Sequence, residues 1–216
     1  MQKLHQFFVG LIVLIFAFSS TTLANKVPDV PTTVRFASLN VKFDGKARAI
    51  IQTEINRLMA NQKFWEEKVE RAQLYFPIIE TVLIDEEVPI DFKYLVAQES
   101  SFKPDAVSTS DAVGFWQFKK ETAEWLGFRV DDIVDERKNI TSSTQAAARL
   151  LKKNNQQLNN WVSTLYSHYL GLGGVSKVIP ASWKNAREIS LDSKTDIYIL
   201  RFFAHKIALE STLETY

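Results

Sequence analysis

Glu99 stands in the stretch YLVAQESSF, residues 94–102, at a position where the surrounding pattern asks for an apolar side chain. At about 100° per residue, Phe92, Leu95, Val96 and Glu99 fall within roughly a quarter-turn of one another on a helical wheel. The carboxylate therefore shares the stripe that should be buried. Two effects then favour its protonated form: desolvation penalises charge, and the C-terminal end of a helix disfavours an anion. Such a carboxylic acid is suited to donating a proton near neutral pH. The alternative is a helix that ends a residue or two earlier and leaves Glu99 facing water, as most glutamates do.

Two further stretches carry polar and aromatic residues at close spacing: AVSTSDAVGFWQF at 106–118 and WVSTLYSHYLGLGG at 161–174. Taken alone, Ser100 reads as a helix-end serine, Gln117 as a surface glutamine, and the aromatics Phe115, Trp116 and Phe118 as core or as the floor of a sugar cleft, since ring faces pack on apolar sugar faces. Asp105, Asp111, Asp135 and Glu136 are the nearest acids in sequence for a second carboxylate, although loop aspartates mostly serve turns and caps. The three histidines, His5, His168 and His205, show no metal-ligand spacing, and no glycine loop shaped to cradle phosphate is present. No metal and no cofactor are expected.

The elements that must position these residues read as helices. Pro89 followed by Asp91 predicts a helix start with Asp91 as N-cap, ahead of DFKYLVAQES. KARAIIQTEINRLMA places Ile50, Ile51, Ile55, Leu58 and Met59 at helical spacing. In KFWEEKVERAQLYF, Phe64, Val69 and Leu74 are expected inward, and Pro77 is expected to break or bend the next stretch, PIIETVLIDEE. Further helices are predicted through QFKKETAEWLG, stopping at Gly127, and through TSSTQAAARLLKKNNQQL, capped by Asn139 or Thr141. Another runs over Trp161–Leu170, broken by GLGG, and a final one, DIYILRFFAHKIALEST, has Asp196 available as its cap. Residues 25–45, with two prolines and little periodicity, read as an extended arm whose removal should leave glycan binding intact. Almost nothing alternates as a strand does, so the predicted class is all-α, with one domain over residues 46–216.

The chain has 216 residues. Its first 24 read as a secretory signal: Lys3, an apolar run Phe7–Phe18, and the small residues of Thr22-Leu23-Ala24 at a processing site. Twelve apolar residues fall short of the roughly 20 that span a bilayer, so cleavage, rather than a retained anchor, is expected, with no stable membrane span afterwards. No cysteine is present, which leaves neither disulfides nor a cysteine-linked lipid. The formal charge of +1 becomes 0 once Lys3 is removed, and a nucleic-acid binder would show a basic excess. Nucleic acid is therefore not an expected partner.

In order and spacing, QESSF, AVSTSDAVGFWQF and WVSTLYSHYLGLGG resemble the transglycosylase domain of lytic murein transglycosylases, most nearly the membrane-bound D type. The resemblance runs from about Val34 to Val178, through RAQLYFPIIETVL and VDERKNI. It implies a lysozyme-like helical fold acting on peptidoglycan glycan strands, in the periplasm or cell envelope, with release of 1,6-anhydro products. On matching positions Glu99 is the single catalytic acid and base. Ser100 and Gln117 match residues that orient the glutamate or the substrate, and Ser108 and Gly114 match the loop before the Gly-aromatic-Trp-Gln box, which continues through Trp116 and Phe118. The third motif departs from the family: Ser167-His168-Tyr169 stands where many relatives carry Ala-Tyr-Asn. His168 takes the place of the tyrosine that supports the acid, and Tyr169 that of the asparagine, so the supporting hydroxyl is left to a shifted Tyr169 or its role to His168. A hydrolase of the same fold, and a glycan-binding protein without turnover, are the competing readings.

Overall fold

Each long helix opens on an aspartate or asparagine whose side chain accepts a backbone N–H that the first turn would otherwise leave free. In this computed structural model, which describes residues 26–214, Asp44 caps α1 (Gly45–Met59), Asn61 caps α2 (Gln62–Asp85) and Asn139 caps α5 (Ile140–Leu158). Asn160 caps α6 (Trp161–Val175) and Asp196 caps α7 (Ile197–Leu213). Each such cap contributes about 1 kcal/mol. Two shorter helices, α3 (Lys93–Glu99) and α4 (Lys120–Trp125), carry no side-chain cap and owe their form to packing. The predicted secretory signal, residues 1–24, lies outside the described residues. No helix of the described residues is long and apolar enough to cross a membrane.

The chain is mostly helical, yet the expectation of an all-α fold without strands needs correction. Residues read as an arm form a hairpin, β1 (Thr33–Phe36) and β2 (Leu39–Phe43), and β2 pairs in parallel with β3 (Glu188–Leu191) to give the order β1-β2-β3. In β2 the residues alternate, with Leu39, Val41 and Phe43 buried and Asn40 and Lys42 exposed. Five residues of period two are too few to stand out beside two prolines. Phe36 is fully buried, with ring centroids of Phe92, Phe202 and Phe203 at 5.4, 5.0 and 5.8 Å. The hairpin thus belongs to the core, and its removal would open that core rather than leave the domain untouched.

α2 continues through Pro77. The ring removes the hydrogen bond to the Gln73 carbonyl, but both residues face solvent, where water can serve that carbonyl. Phe64 and Leu74 are exposed rather than inward; the buried stripe is Trp65, Val69, Ala72, Phe76, Ile79 and Leu83. α7 is apolar on nearly every side, from Ile199 to Leu209, as a helix enclosed by its neighbours must be. It packs against α1 and α3, which brings the last turn of α3 to the first turn of α7.

Asp91 does not cap α3. It lies in a short 3-10 turn, Ile90–Phe92, where its Oδ1 accepts from Lys206 Nζ (2.5 Å) and its Oδ2 from the Ala37 backbone N–H (2.8 Å). α3 is thereby tied at its start to both the hairpin and α7. GLGG breaks α6 as expected: Gly171 is non-helical (φ 69°, ψ 165°), and the helical segments on either side of it meet at a kink.

Candidate active site

Glu99 is the last residue of α3 and is half-buried. The helix stops there because the next turn is left-handed at two successive residues, Ser101 (φ 52°) and Phe102 (φ 60°). An aromatic residue in that region is strained. Burial of the Phe102 ring against Phe76 (5.4 Å) holds it, and Arg71 Nε donates to the Ser101 carbonyl (2.8 Å).

The group that supports Glu99 comes from neither His168 nor Tyr169. Tyr198, in the first turn of α7, donates its phenol hydrogen to Glu99 Oε1 at 2.5 Å. Burial, then the charge of Glu99 and this hydrogen bond, push the Tyr198 phenol well above its ordinary pKa, so it remains a donor. Its backbone is fixed twice: Asp196 Oδ1 accepts from Tyr198 N (2.8 Å), and Gln98 Nε2 donates to the Tyr198 carbonyl (3.3 Å). Asp196 Oδ2 accepts from Tyr166 OH (2.7 Å), and burial together with Asp196 raises the Tyr166 phenol as well. Tyr169 contributes its ring, stacked on Tyr198 with centroids 4.7 Å apart and planes 17° apart, while 60% of the residue stays exposed. Tyr198 belongs to none of the three sequence motifs. Its signal in the sequence is a tyrosine two residues past a cap on a largely apolar helix, whose hydroxyl must find a partner when buried.

His168 turns the other way. Its Nε2–H donates to the Trp116 carbonyl (2.9 Å), its ring lies against Trp116 and Phe118, and its Nδ1 is buried without a partner. His168 therefore binds α6 to the Gly-Phe-Trp-Gln turn rather than to the acid. Ser100 is also buried and donates to the Phe115 carbonyl (2.9 Å), with the Val96 carbonyl at 3.2 Å, so it joins the end of α3 to the same turn. Trp116 is fully buried, its indole N–H donating to Thr144 Oγ1 (3.0 Å), and Phe115 packs edge-on against Tyr75. Of the three aromatics of the turn, only Phe118 lines the cleft.

Gly114 is required by geometry. At φ 86° a Cβ would collide with the Arg137 carbonyl oxygen. The close approach of the backbone alone accounts for the glycine. Gln117 (φ 52°) directs its amide hydrogens to the Ala106 and Gly114 carbonyls (3.0 and 2.9 Å), and Ser108 Oγ accepts from Ala112 N and Ser110 N (3.0 and 3.2 Å). Both side chains border the cleft while holding the turn in shape.

The cleft encloses about 730 Å³, and its lining includes Glu99, Ser108, Gln117, Phe118, His168 and Tyr169. A smaller recess of about 290 Å³ shares Glu99 and Tyr169 with it and adds Asp196, Tyr198, Arg201 and His205. Among the described residues, Glu99 is the one carboxylate in the larger space. Asp135 is consumed by a bidentate pair with Arg137 (2.8 and 2.7 Å), which holds its carboxyl below the usual range. Asp105 pairs with Lys138 (3.0 Å), and Glu136 accepts from Arg129 N (2.6 Å). Asp111 is exposed and outside the lining. Asp196, unconsidered from the sequence as a site residue, is the acid of the smaller recess, with both oxygens already engaged. The arrangement offers one carboxylic acid, held by a phenol, in an open groove with polar and aromatic walls.

A family model, the transglycosylase SLT domain, matches residues 78–190. The chain is also similar to the membrane-bound lytic murein transglycosylase D of Escherichia coli strain K12 and to that of Escherichia coli O6:H1 strain CFT073. Each is 24% identical over 160 residues, covering 71% of this chain and 35% of the relative. The chain thus spans about a third of the length of these curated relatives.

Proposed function

Because the chain belongs to the transglycosylase SLT domain family, we propose that it is a peptidoglycan lytic transglycosylase that cleaves the β-1,4 bond between N-acetylmuramic acid and N-acetylglucosamine without water, using Glu99 as acid and then base. The observation that carries this reading is the lone carboxylate of the cleft, held at 2.5 Å by Tyr198. A hydrolase with an inverting mechanism needs a second carboxylate across the scissile bond to activate water; near the turn, Asp105, Asp135 and Glu136 are engaged elsewhere and Asp111 lies outside the cleft lining.

In the proposed cycle, protonated Glu99 gives its hydrogen to the glycosidic oxygen as the bond to the anomeric carbon breaks. The acetamido oxygen of the same sugar supports the positive charge on that carbon, which replaces a second carboxylate. Glu99, now ionised, takes the proton of the C6 hydroxyl as its oxygen closes onto the anomeric carbon. The acid is restored and an anhydro end is left. Tyr198 binds Oε1 throughout, which leaves Oε2 as the atom that exchanges the proton, and its hydrogen bond strengthens while Glu99 bears charge. Action on murein puts the working site in the cell envelope, reached by export.

The test is mass spectrometry of murein sacculi incubated with the protein, beside a Glu99→Gln control. Anhydro-muropeptides from the wild type alone support the reading. Reducing ends would transfer it to a hydrolase, and intact sacculi that retain bound protein would transfer it to a glycan-binding role.

A further inference from the structure

The cleft has a feature that the proton transfers do not use. Trp125, at the end of α4, borders it with 64% of its surface exposed, an unusual state for the largest apolar side chain. Lys153 Nζ, from α5, sits over the indole at 4.8 Å from the ring centroid, and Lys119 borders the same cleft. Neither lysine has a carboxylate partner among the described residues. The acids of α4 stand outside the lining, with Glu124 turned to Lys120 (3.8 Å). The groove therefore presents two uncompensated ammonium groups beside an open aromatic face, against the single carboxylate of Glu99.

We propose that Trp125, Lys153 and Lys119 form a subsite that selects a sugar bearing a carboxylate on its substituent, the ring stacking on the indole and the carboxylate meeting the ammonium groups. The inference rests on the glycan-cleaving reading above and assigns to these three residues the discrimination between murein and an uncharged strand. An uncharged N-acetylglucosamine polymer would gain the stacking and leave the lysines unanswered. The cation over one face of Trp125 keeps the indole oriented, and two like charges in a partly walled groove attract an anion more strongly than either would on an open surface. The carboxylate has two sources in murein. In peptide-free strands it is the lactyl group itself; in stem-bearing strands that group is an amide, and the charge lies on the stem's own carboxylates.

Binding measured by calorimetry on Glu99→Gln protein, which does not depend on turnover, separates this inference from the reading beneath it. The probes are an N-acetylglucosamine oligomer, peptide-free murein strands and stem-bearing strands of equal sugar number. Lys153→Gln and Lys119→Gln should each weaken binding to anionic strands by roughly two- to fivefold, the scale of a solvent-exposed charge contact, and leave the neutral oligomer unchanged; Lys153→Arg should restore the difference. Trp125→Ala should weaken all three probes by roughly tenfold, as for an aromatic anchor. Loss on peptide-free strands assigns the lactyl carboxylate, and loss confined to stem-bearing strands assigns the stem. Lysine variants that bind every probe like the parent overturn the subsite while leaving the enzyme reading in place. Failure of every probe to bind overturns both.

Discussion

Tyr198→Phe removes one oxygen and nothing else from the site. The ring remains, so the 4.7 Å stack on Tyr169 and the backbone bonds to Asp196 and Gln98 are kept. What is lost is the 2.5 Å hydrogen bond to Glu99 Oε1. A hydrogen bond to a charged group contributes about 1.5–3 kcal/mol. Glu99 is half-buried, so water can replace part of the lost interaction, which sets the expected cost at about 2 kcal/mol. If that cost falls on the step in which Glu99 is ionised, kcat drops roughly thirtyfold. The assay is the rate of anhydro-muropeptide release from sacculi at saturating substrate, with the melting temperature as a control for folding. A Tyr198→Phe protein that melts like the wild type and turns over within about twofold of it would refute the support assigned to Tyr198. A His168→Phe variant offers the contrast: it loses the bond to the Trp116 carbonyl, and its defect should appear in stability more than in turnover.

Gly114→Ala forces a Cβ against the Arg137 carbonyl at a positive φ, so thermal unfolding should register a loss of about 3 kcal/mol or more; an unchanged melting temperature would contradict the close approach. Lys68 is buried behind α3, donating to the Ala97 carbonyl (3.3 Å) and to Nε2 of His205 (3.1 Å), whose Nδ1–H donates to the Arg201 carbonyl (3.0 Å). Burial, then the neighbouring Arg71 and Lys103, lower the Lys68 ammonium from 10.5 to about 8. Between those values the unfolded chain holds the proton and the folded one does not, so stability should rise with pH by an amount on the order of 3 kcal/mol. Chemical denaturation at about pH 8 and about pH 10.5 checks this, and Lys68→Met should abolish the rise. Burial and Lys68 hold the His205 imidazole well below 6.5, so its contribution is complete above pH 6.5 and lost as the pH falls beneath it; a His205→Gln protein should show a shallower acid loss in the same assay.

The long helices were legible because their signals are local. Asp196 and Asn139 cap the helices they were expected to cap, and Gly127 stands at the end of α4 in the left-handed region. Glu99 on the face of α3 was legible for the same reason, since its neighbours on the wheel lie within one helix. Strand pairing was not, because β2 meets β3 across nearly the whole domain and either strand alone has too short a period to read. The buried face of α2 was displaced by a position or two, at Phe64 against Trp65 and at Leu74 against Phe76. A helix dense in apolar residues offers more than one stripe, and only its neighbours choose between them.

The sequence by itself determined the helical elements, most of their caps, and the place of Glu99 on the stripe of α3, because capping and periodicity act over a few residues and survive without the rest of the chain. Tertiary structure decided which side chains meet Glu99. Tyr198 reaches Glu99, His168 turns to Trp116, and Arg137 withdraws Asp135 from the cleft. Those choices depend on how α3, α6 and α7 settle against one another through apolar burial, which is non-directional and summed over the whole core. Only after that settling does a particular hydroxyl stand 2.5 Å from a particular carboxylate.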